Sequence, residues 1–582
     1  MGIIQKIKEN IKNKRITKLE KDLLALRNKL KFNPKLLMMS DCESDKAFSR
    51  RIFEYKIWSM GNAGLLCRFY RTGSALVNQY DYSKANYFWA RAPIKRRMVH
   101  CGIPGLISSR MADVLFKNGV KLNAVVYTKA SEESESLTEN KEAEKKANEF
   151  IADTLSGKIN LQENLQKAAV NESWGGHCFF RLSHDATVSA YPILETYDIT
   201  NAEILKARGI TKAIIFKTWY EHSGRSYRLD EIYSVTDEGD GCITYRLFRF
   251  DGGEEKECDL LSIPQTREMF FFGGVGNSDG VVLDEHQRFV YKGLKGILAF
   301  EKPNKTPSLE FPSSPYGGSD YEGAVDEFDA LDEITSANIR EIRTNETKRY
   351  IPDTMLQKDE NGEFKGFDEF CDSYQITKGD PDQDAENKVD FSSIPDKTAS
   401  FLEKWKTSLS IVCNKAKISP YALGITWLEA VGPSAESQLE RNKTTLDMRK
   451  GKLELWTPLV EEMILRTLQL NTWMRENVPE IKERQTADGV PDLDFTQGNT
   501  TIQADFGEYI TEGVSQRITT WGGAKMQRIA STDEAVRQIH PEWTEKQVQD
   551  EVNIIRFEDG VSVDSPNNLP ALSGGSEIDE EV

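Results

Sequence analysis

Five carboxylates, Asp326, Glu327, Asp329, Asp332 and Glu333, fall within eight residues, a density that can hold a divalent cation for phosphodiester cleavage. No ligand of another type flanks them, so we read them as a solvent-facing helix surface. Asp380, Asp382 and Asp384 imitate the start of a calcium loop, but Ala385 stands where its glycine belongs and Phe391 where its closing glutamate belongs. That stretch is a solvated loop. Gly274, Gly276 and Asp279 approximate a dinucleotide-binding turn, with Asp279 in place of the third glycine and no helix following at the right distance. A glycine-rich surface turn is the better reading. The six histidines, His100, His177, His184, His222, His286 and His540, never pair at metal-ligand spacing, and no G-x-x-x-x-G-K-[ST] occurs. We therefore expect no catalytic residue, no metal and no cofactor.

The elements that would carry these residues belong to a large folded chain. At 582 residues it exceeds one ordinary core, and 39% hydrophobic with 29% charged residues suits a globular protein rather than a disordered one. The net charge of −17 argues against a long-range positive field for nucleic acid, so any DNA contact has to be local or confined. The eight cysteines form no C-x-x-C pair and no apolar run is long enough to cross a membrane, which points to reduced thiols in a cytoplasm.

In chain order, residues 1–44 form a basic amphipathic arm, with Ile3, Ile7 and Ile11 on one face, suited to a neighbouring subunit or, alternatively, a membrane surface. Helical periodicity is expected over Asp45–Arg71, Ala92–Lys117 and again from Phe150 through Ala169. Short strands follow at Cys178–Ser183, Val188–Pro192, Ala213–Tyr220, Tyr227–Val235 and Cys242–Phe250, separated by Gly/Asp turns. Pro303–Gly318 is a connector. A helix acidic at its start and basic at its end runs from Asp320 to about Thr347, an irregular segment fills 349–395, and a second helix covers Lys397–Ala416. Thr501–Phe506 reads as a strand, Val514–Ile539 and Thr544–Phe557 as helices, and the acidic remainder from 558 to 582 as disordered.

The chain turns on the stretch after Lys417. Pro420, Gly424, Gly432 and Pro433 make a breaker-rich loop, and Ser434 with Glu436 opens a long helix. Leu439, Leu446, Leu453 and Val460 repeat every seven residues along it, and Pro458 is expected to kink it near Glu454. Ser419, Pro420, Leu423 and Gly424, followed by Ser434, Ala435 and Glu436, resemble the S-P-x-x-L-G segment and helix start of the portal proteins, the head-to-tail connectors of tailed bacteriophages. Tyr87–Phe116, Gly175–Ile199 and Ser319–Leu356 are similar to that family too, so the resemblance spans most of the chain.

The resemblance implies an α+β subunit of the siphovirus type: an arm (1–44), a wing of helices then antiparallel strands (45–319), stem helices (320–348 and 396–417) around a small clip (349–395), a tunnel loop (418–433), a long kinked helix with a wing return strand (434–510), and a helical crown (511–557). It implies a ring, a dodecamer by family, at one vertex of the virion capsid. Double-stranded DNA passes through it, and the partners are the terminase large subunit, the major capsid and scaffold proteins and a head-completion adaptor, with assembly in the host cytoplasm and no membrane. Leu423, Gly424, Trp427, Leu428, Glu429 and Gly432 become candidates to face DNA, although Trp427 can equally be a buried anchor. Arg340, Arg343, Lys348, Arg349, Lys404, Lys406, Lys415 and Lys417 become candidates to line the channel or meet terminase, against the alternative of a solvated face. The rivals are a DNA-processing enzyme or packaging motor subunit, disfavoured by its missing motifs, and an inner-capsid or scaffold protein, which would lack the hinge stretch.

Overall fold

The computed structural model describes residues 45–72, 86–91, 98–129, 137–185, 188–251, 254–272, 275–276, 281–344, 348–350, 390–392, 398–425, 435–488, 490, 495, 500–507, 514–540, 543 and 545–558. The arm, most of residues 349–395, the loop from 426 to 434 and the tail after 558 lie outside them. The fold is α+β, in two compact units: Met1–Ala430 with Thr444–Gly507, and Val431–Lys443 with Glu508–Val582.

In the first unit α1 (Asp45–Met60), α2 (Ala63–Thr72), α3 (Phe88–Arg91) and α4 (Ile103–Phe116) precede strand β1 (Lys121–Lys129) and β2 (Leu137–Glu139). Two of these boundaries differ from expectation. Left-handed Gly61 separates α1 from α2, and α4 begins only after left-handed Gly102, with Pro104 in its first turn. Next come α5 (Lys141–Gly157), which starts well before Phe150, and α6 (Leu161–Gly175), then β3 (His177–Ser183) and β4 (Ile193–Asp198). Residues 188–192 form a turn rather than a strand, and the pairing begins at Ile193 opposite Ser183.

A six-stranded antiparallel sheet follows, built from β5 (Ala202–Ala207), β6 (Ile210–His222), β7 (Arg225–Val235), β8 (Asp240–Asp251), β9 (Glu254–Cys258) and, after α7 (Pro264–Met269) and the short strands β10 (Phe270–Phe272), β11 (Val275–Gly276) and β12 (Val281–Val282), β13 (Arg288–Lys295). Alternation sets its faces. Ile214, Phe216, Leu229, Tyr233, Ile243 and Leu247 are buried on one. On the other, Arg228 sits 5.1 to 5.7 Å from the ring centroids of Trp219, Phe248 and Phe250 and pairs with Asp230 at 2.6 Å. Burial pushes the Asp230 carboxyl up to about 6, a rise that Arg228 moderates without cancelling.

β14 (Ala299–Pro303) pairs with β3, and the connector after it returns so tightly that a Cβ on left-handed Gly176 would stand 2.5 Å from the Gly317 carbonyl oxygen. Helix α8 (Val325–Thr344), strands β15 (Lys348–Tyr350) and β16 (Asp390–Ser392) and helix α9 (Thr398–Ala416) come next, then the 43-residue α10 (Ala435–Asn477) and α11 (Pro479–Ala487). α10 runs unbroken through exposed Pro458. The Thr457 hydroxyl donates to the Leu453 carbonyl at 2.9 Å, beside the Glu454 carbonyl that proline leaves without its usual donor. The seven-residue seam follows the buried stripe only at Val460: Leu446 and Leu453 are half-buried, whereas Thr445, Met448, Lys452, Trp456 and Met463 are buried with Val460. A surface made of several elements follows the 3.6-residue period, which drifts away from a strict heptad. β17 (Thr500–Asp505) then pairs antiparallel with β1, Lys121 opposite Asp505.

The second unit contains α12 (Val514–Met526), α13 (Thr532–Ile539) and α14 (Glu545–Glu558). The single helix expected over Val514–Ile539 is two, because left-handed Arg528 breaks it and the Ser531 hydroxyl caps α13 by accepting from Glu534 N–H at 3.1 Å.

Candidate functional site

The segment that the sequence marks as a hinge is built from the end of α9. Lys417 adopts φ +55°, and its N–H donates to Asn414 O at 3.3 Å while Ile418 N–H donates to Cys413 O at 3.0 Å. This is a Schellman motif with lysine at the left-handed position, and buried Ile418 and Cys413 supply its apolar partners. Ser419 comes next and is buried. Its N–H donates to the Thr445 hydroxyl of α10 at 2.8 Å, and its own hydroxyl accepts from Ala422 N–H at 3.0 Å. The two sides of the loop are thus tied at their base.

Leu423 is buried, and Gly424, at φ +82°, closes the turn by donating its N–H to Tyr421 O at 2.9 Å. A Cβ on Gly424 would lie 3.7 Å from Arg110 of α4, so the backbone conformation, not crowding, calls for glycine. Arg449 fixes the other side: its guanidinium donates to Val114 O at 2.8 Å and to Phe506 O and Gly507 O at 2.9 and 2.8 Å. Both flanks of the loop therefore meet α4.

Beneath the hinge, α10 is fastened by charges with almost no access to solvent. Lys452 Nζ lies 2.8 Å from Asp320, which also receives Lys305 at 3.1 Å and the Asn304 amide at 3.0 Å. Burial alone would raise the Asp320 carboxyl, but Lys452 and Lys305 outweigh it and hold the group well below the ordinary carboxylate range. Trp456, one turn along, donates from its indole to Glu172 at 3.1 Å, and Glu172 accepts from Lys302 at 2.6 Å. The Lys302 ammonium also lies 4.7 Å from the Trp456 ring centroid, and burial lowers its affinity for the proton.

The carboxylates of α8 are the clearest correction to the sequence reading. Asp329 and Asp332 are buried, not solvent-facing, and they organise α3 and residues 98–101. Asp329 accepts from the N–H groups of Phe88 and Trp89 at 2.8 and 3.4 Å, capping α3. Asp332 accepts from the Trp89 indole at 3.0 Å and Cys101 N–H at 2.8 Å and lies 2.7 Å from His100 Nδ1. Burial pushes Asp329 up to about 7, against the pull of its two backbone donors. Among the described residues no group of three or more His, Cys, Asp or Glu can hold a metal ion.

Comparison with known proteins adds a likeness in structure and none in sequence. No family model matches the chain, and no curated protein matches it. Among solved structures it is similar to a chain described as "Neck of native GTA particle computed with C12 symmetry", at 9% identity and a TM-score of 0.33, covering 76% of this chain and 90% of that one.

The candidate channel cations divide between the two ends of a helix pair. Lys415 Nζ lies 2.7 Å from Glu327, which sets α9 antiparallel to α8 and places Lys415 and exposed Lys417 at its base. Exposed Arg340 and Lys404 and half-buried Lys406 lie toward the other end, where Arg343 is the last residue but one of α8 and Lys348 and Arg349 stand opposite Ser392 and Phe391 in β15–β16. Of the candidate tunnel-loop residues, Leu423 and Gly424 are placed as above, while Trp427, Leu428, Glu429 and Gly432 lie outside the described residues. The sequence reading missed Arg110, Thr445, Arg449, Lys452 and Trp456. Lys452 and Trp456 carried a usable signal, a cation and an indole one turn apart on a stripe of otherwise apolar and small residues.

Proposed function

We propose that this chain is a portal subunit: a non-enzymatic, ring-forming protein at one capsid vertex, through whose channel double-stranded DNA is packaged and ejected. The observation that carries the reading is the hinge. An antiparallel helix pair, α8 and α9, flanks residues 345–397, and α9 passes through S-P-x-x-L-G into a stretch that is clasped back onto α10 by the hydrogen bond from Ser419 to Thr445, in the third turn of that helix. That order suits a stalk with a loop at its inner end. The sequence resemblance over Tyr87–Phe116, Gly175–Ile199 and Ser319–Leu356 points the same way.

In this reading the base of the loop is held firmly, because Arg449 and the Lys452–Asp320 pair anchor α10 just beyond it. The net charge of −17 favours a channel that DNA slides through without sticking, since each phosphate neutralised adds affinity and drag. Terminase supplies the motor, and capsid, scaffold and adaptor proteins meet the outside of the ring. The test is assembly. Negative-stain imaging and mass photometry of the purified chain are expected to show a closed annulus with an axial hole. A single monodisperse monomer at all protein concentrations would overturn the proposal.

A further inference from the structure

The unit formed by α12, α13 and α14 has a small core, Val536, Val548 and Val552 with Trp543 and Ile555 packed on it, and it leaves large apolar side chains uncovered. They lie on two faces. Along α12 and just after it Ile518 and Ile529 are exposed and Met526 is 88% exposed, with Trp521 and Lys525 at helical spacing on the same side as Ile518. On α14 Ile554 is exposed and Phe557 is 65% exposed, sharing their side with Asp550 and Glu558. Apolar surface of this kind marks a place where another molecule sits.

Charge says which molecule. From Val514 to Ser531 the sequence carries Arg517, Lys525 and Arg528 and no acidic residue, whereas the exposed side of α14 carries Asp550 and Glu558 against one cation, Lys546, and is acidic on balance. The two faces are both apolar and opposite in charge, so each is complementary to the other on a second copy of this chain. Gly522 and Gly523 agree with that. They weaken the interior of α12, and a Cβ on either would meet nothing within 4 Å inside this chain, which leaves room for a close-lying helix from outside.

We infer that the α12 face of one subunit packs on the α14 face of the next, with Lys525 and Arg528 set against Asp550 and Glu558. Because the two patches differ, the contact is head-to-tail, and repeated about an axis it closes a ring. The inference rests on the portal reading and assigns part of the subunit contact to this unit.

A charge swap in the full-length protein tests it. K525E/R528E makes both faces acidic and D550K/E558K makes both basic. Each variant alone should need roughly tenfold more protein than the wild type to assemble at about 0.1 M salt, read by mass photometry, with unchanged far-ultraviolet circular dichroism. An equimolar mixture of the two should restore assembly in alternating order, and so should the fourfold variant. Wild-type rings together with variants that assemble normally would overturn this interface and leave the portal reading standing. Failure of both the mixture and the fourfold variant to recover would likewise overturn it. A wild type that never self-associates would overturn the interface and the portal reading together.

Discussion

Lys452→Met should destabilise the first unit strongly, and the structure says by roughly how much. Asp320 and Lys452 are both buried, and removing one partner of such a pair costs about 3–5 kcal/mol because it strands the other charge. Lys305 at 3.1 Å and the Asn304 amide at 3.0 Å stay in place, so the lower end, about 3 kcal/mol, is expected. Removing both charges with D320N/K452M should recover most of that loss and give a coupling of about 2 kcal/mol in a double-mutant cycle. The pH dependence carries a sign. In the wild type Asp320 is held below its unfolded value, so its stabilisation is present above about pH 4 and is lost as pH falls through the folded value. Without Lys452 the buried carboxyl takes up a proton more readily, and the variant's deficit should shrink as pH is lowered from 7 toward about 4. Urea unfolding followed by circular dichroism at several pH values measures all of this. A variant that unfolds at the wild-type midpoint, or a double variant no better than the single one, would refute the reasoning.

Gly424→Ala should cost about 1 kcal/mol from its left-handed backbone alone, and Gly424→Asn less, in the same urea assay. Asp329→Asn tests the opposite pH sign. Burial raises the wild-type carboxyl to about 7, so its contribution is complete below about pH 4 and is lost progressively as pH rises through 7, and the variant should gain on the wild type steadily over that range, more at pH 8 than at pH 5. Deleting Trp427–Val431 should leave ring assembly intact while altering DNA retention in packaging assays; loss of assembly would assign the segment to packing instead.

The sequence told most about elements whose periodicity is local. The core strands β6, β7 and β8 and the pair α8 and α9 stand within a few residues of their expected places, because each buries one clean face. It told least where a distant partner decides. Nothing near Asp329 or Asp332 in the chain announces that Phe88, Trp89 and Cys101 will supply their donors, so a buried capping site read as a wet helix surface. Likewise the heptad of leucines on α10 was real as spacing but subordinate to Lys452 and Trp456, whose partners Asp320 and Glu172 lie far earlier in the sequence. The clasp at Ser419 was visible as a motif and not as a contact, because a backbone N–H donating to a threonine hydroxyl on another helix has no sequence pattern.

The pairing of β17 with β1 also sets a timetable for synthesis. Lys121 waits for Asp505, about 380 residues later, and at roughly 5–20 residues per second the ribosome takes on the order of 20–80 s to deliver that partner. During that interval one side of β1, at Lys121–Val126, is an open strand edge in a partly made chain, the kind of edge on which neighbouring nascent chains pair. Until residue 505 has been made, the unfinished chain therefore carries an edge that pairing with a neighbouring nascent chain would satisfy as readily as β17 does.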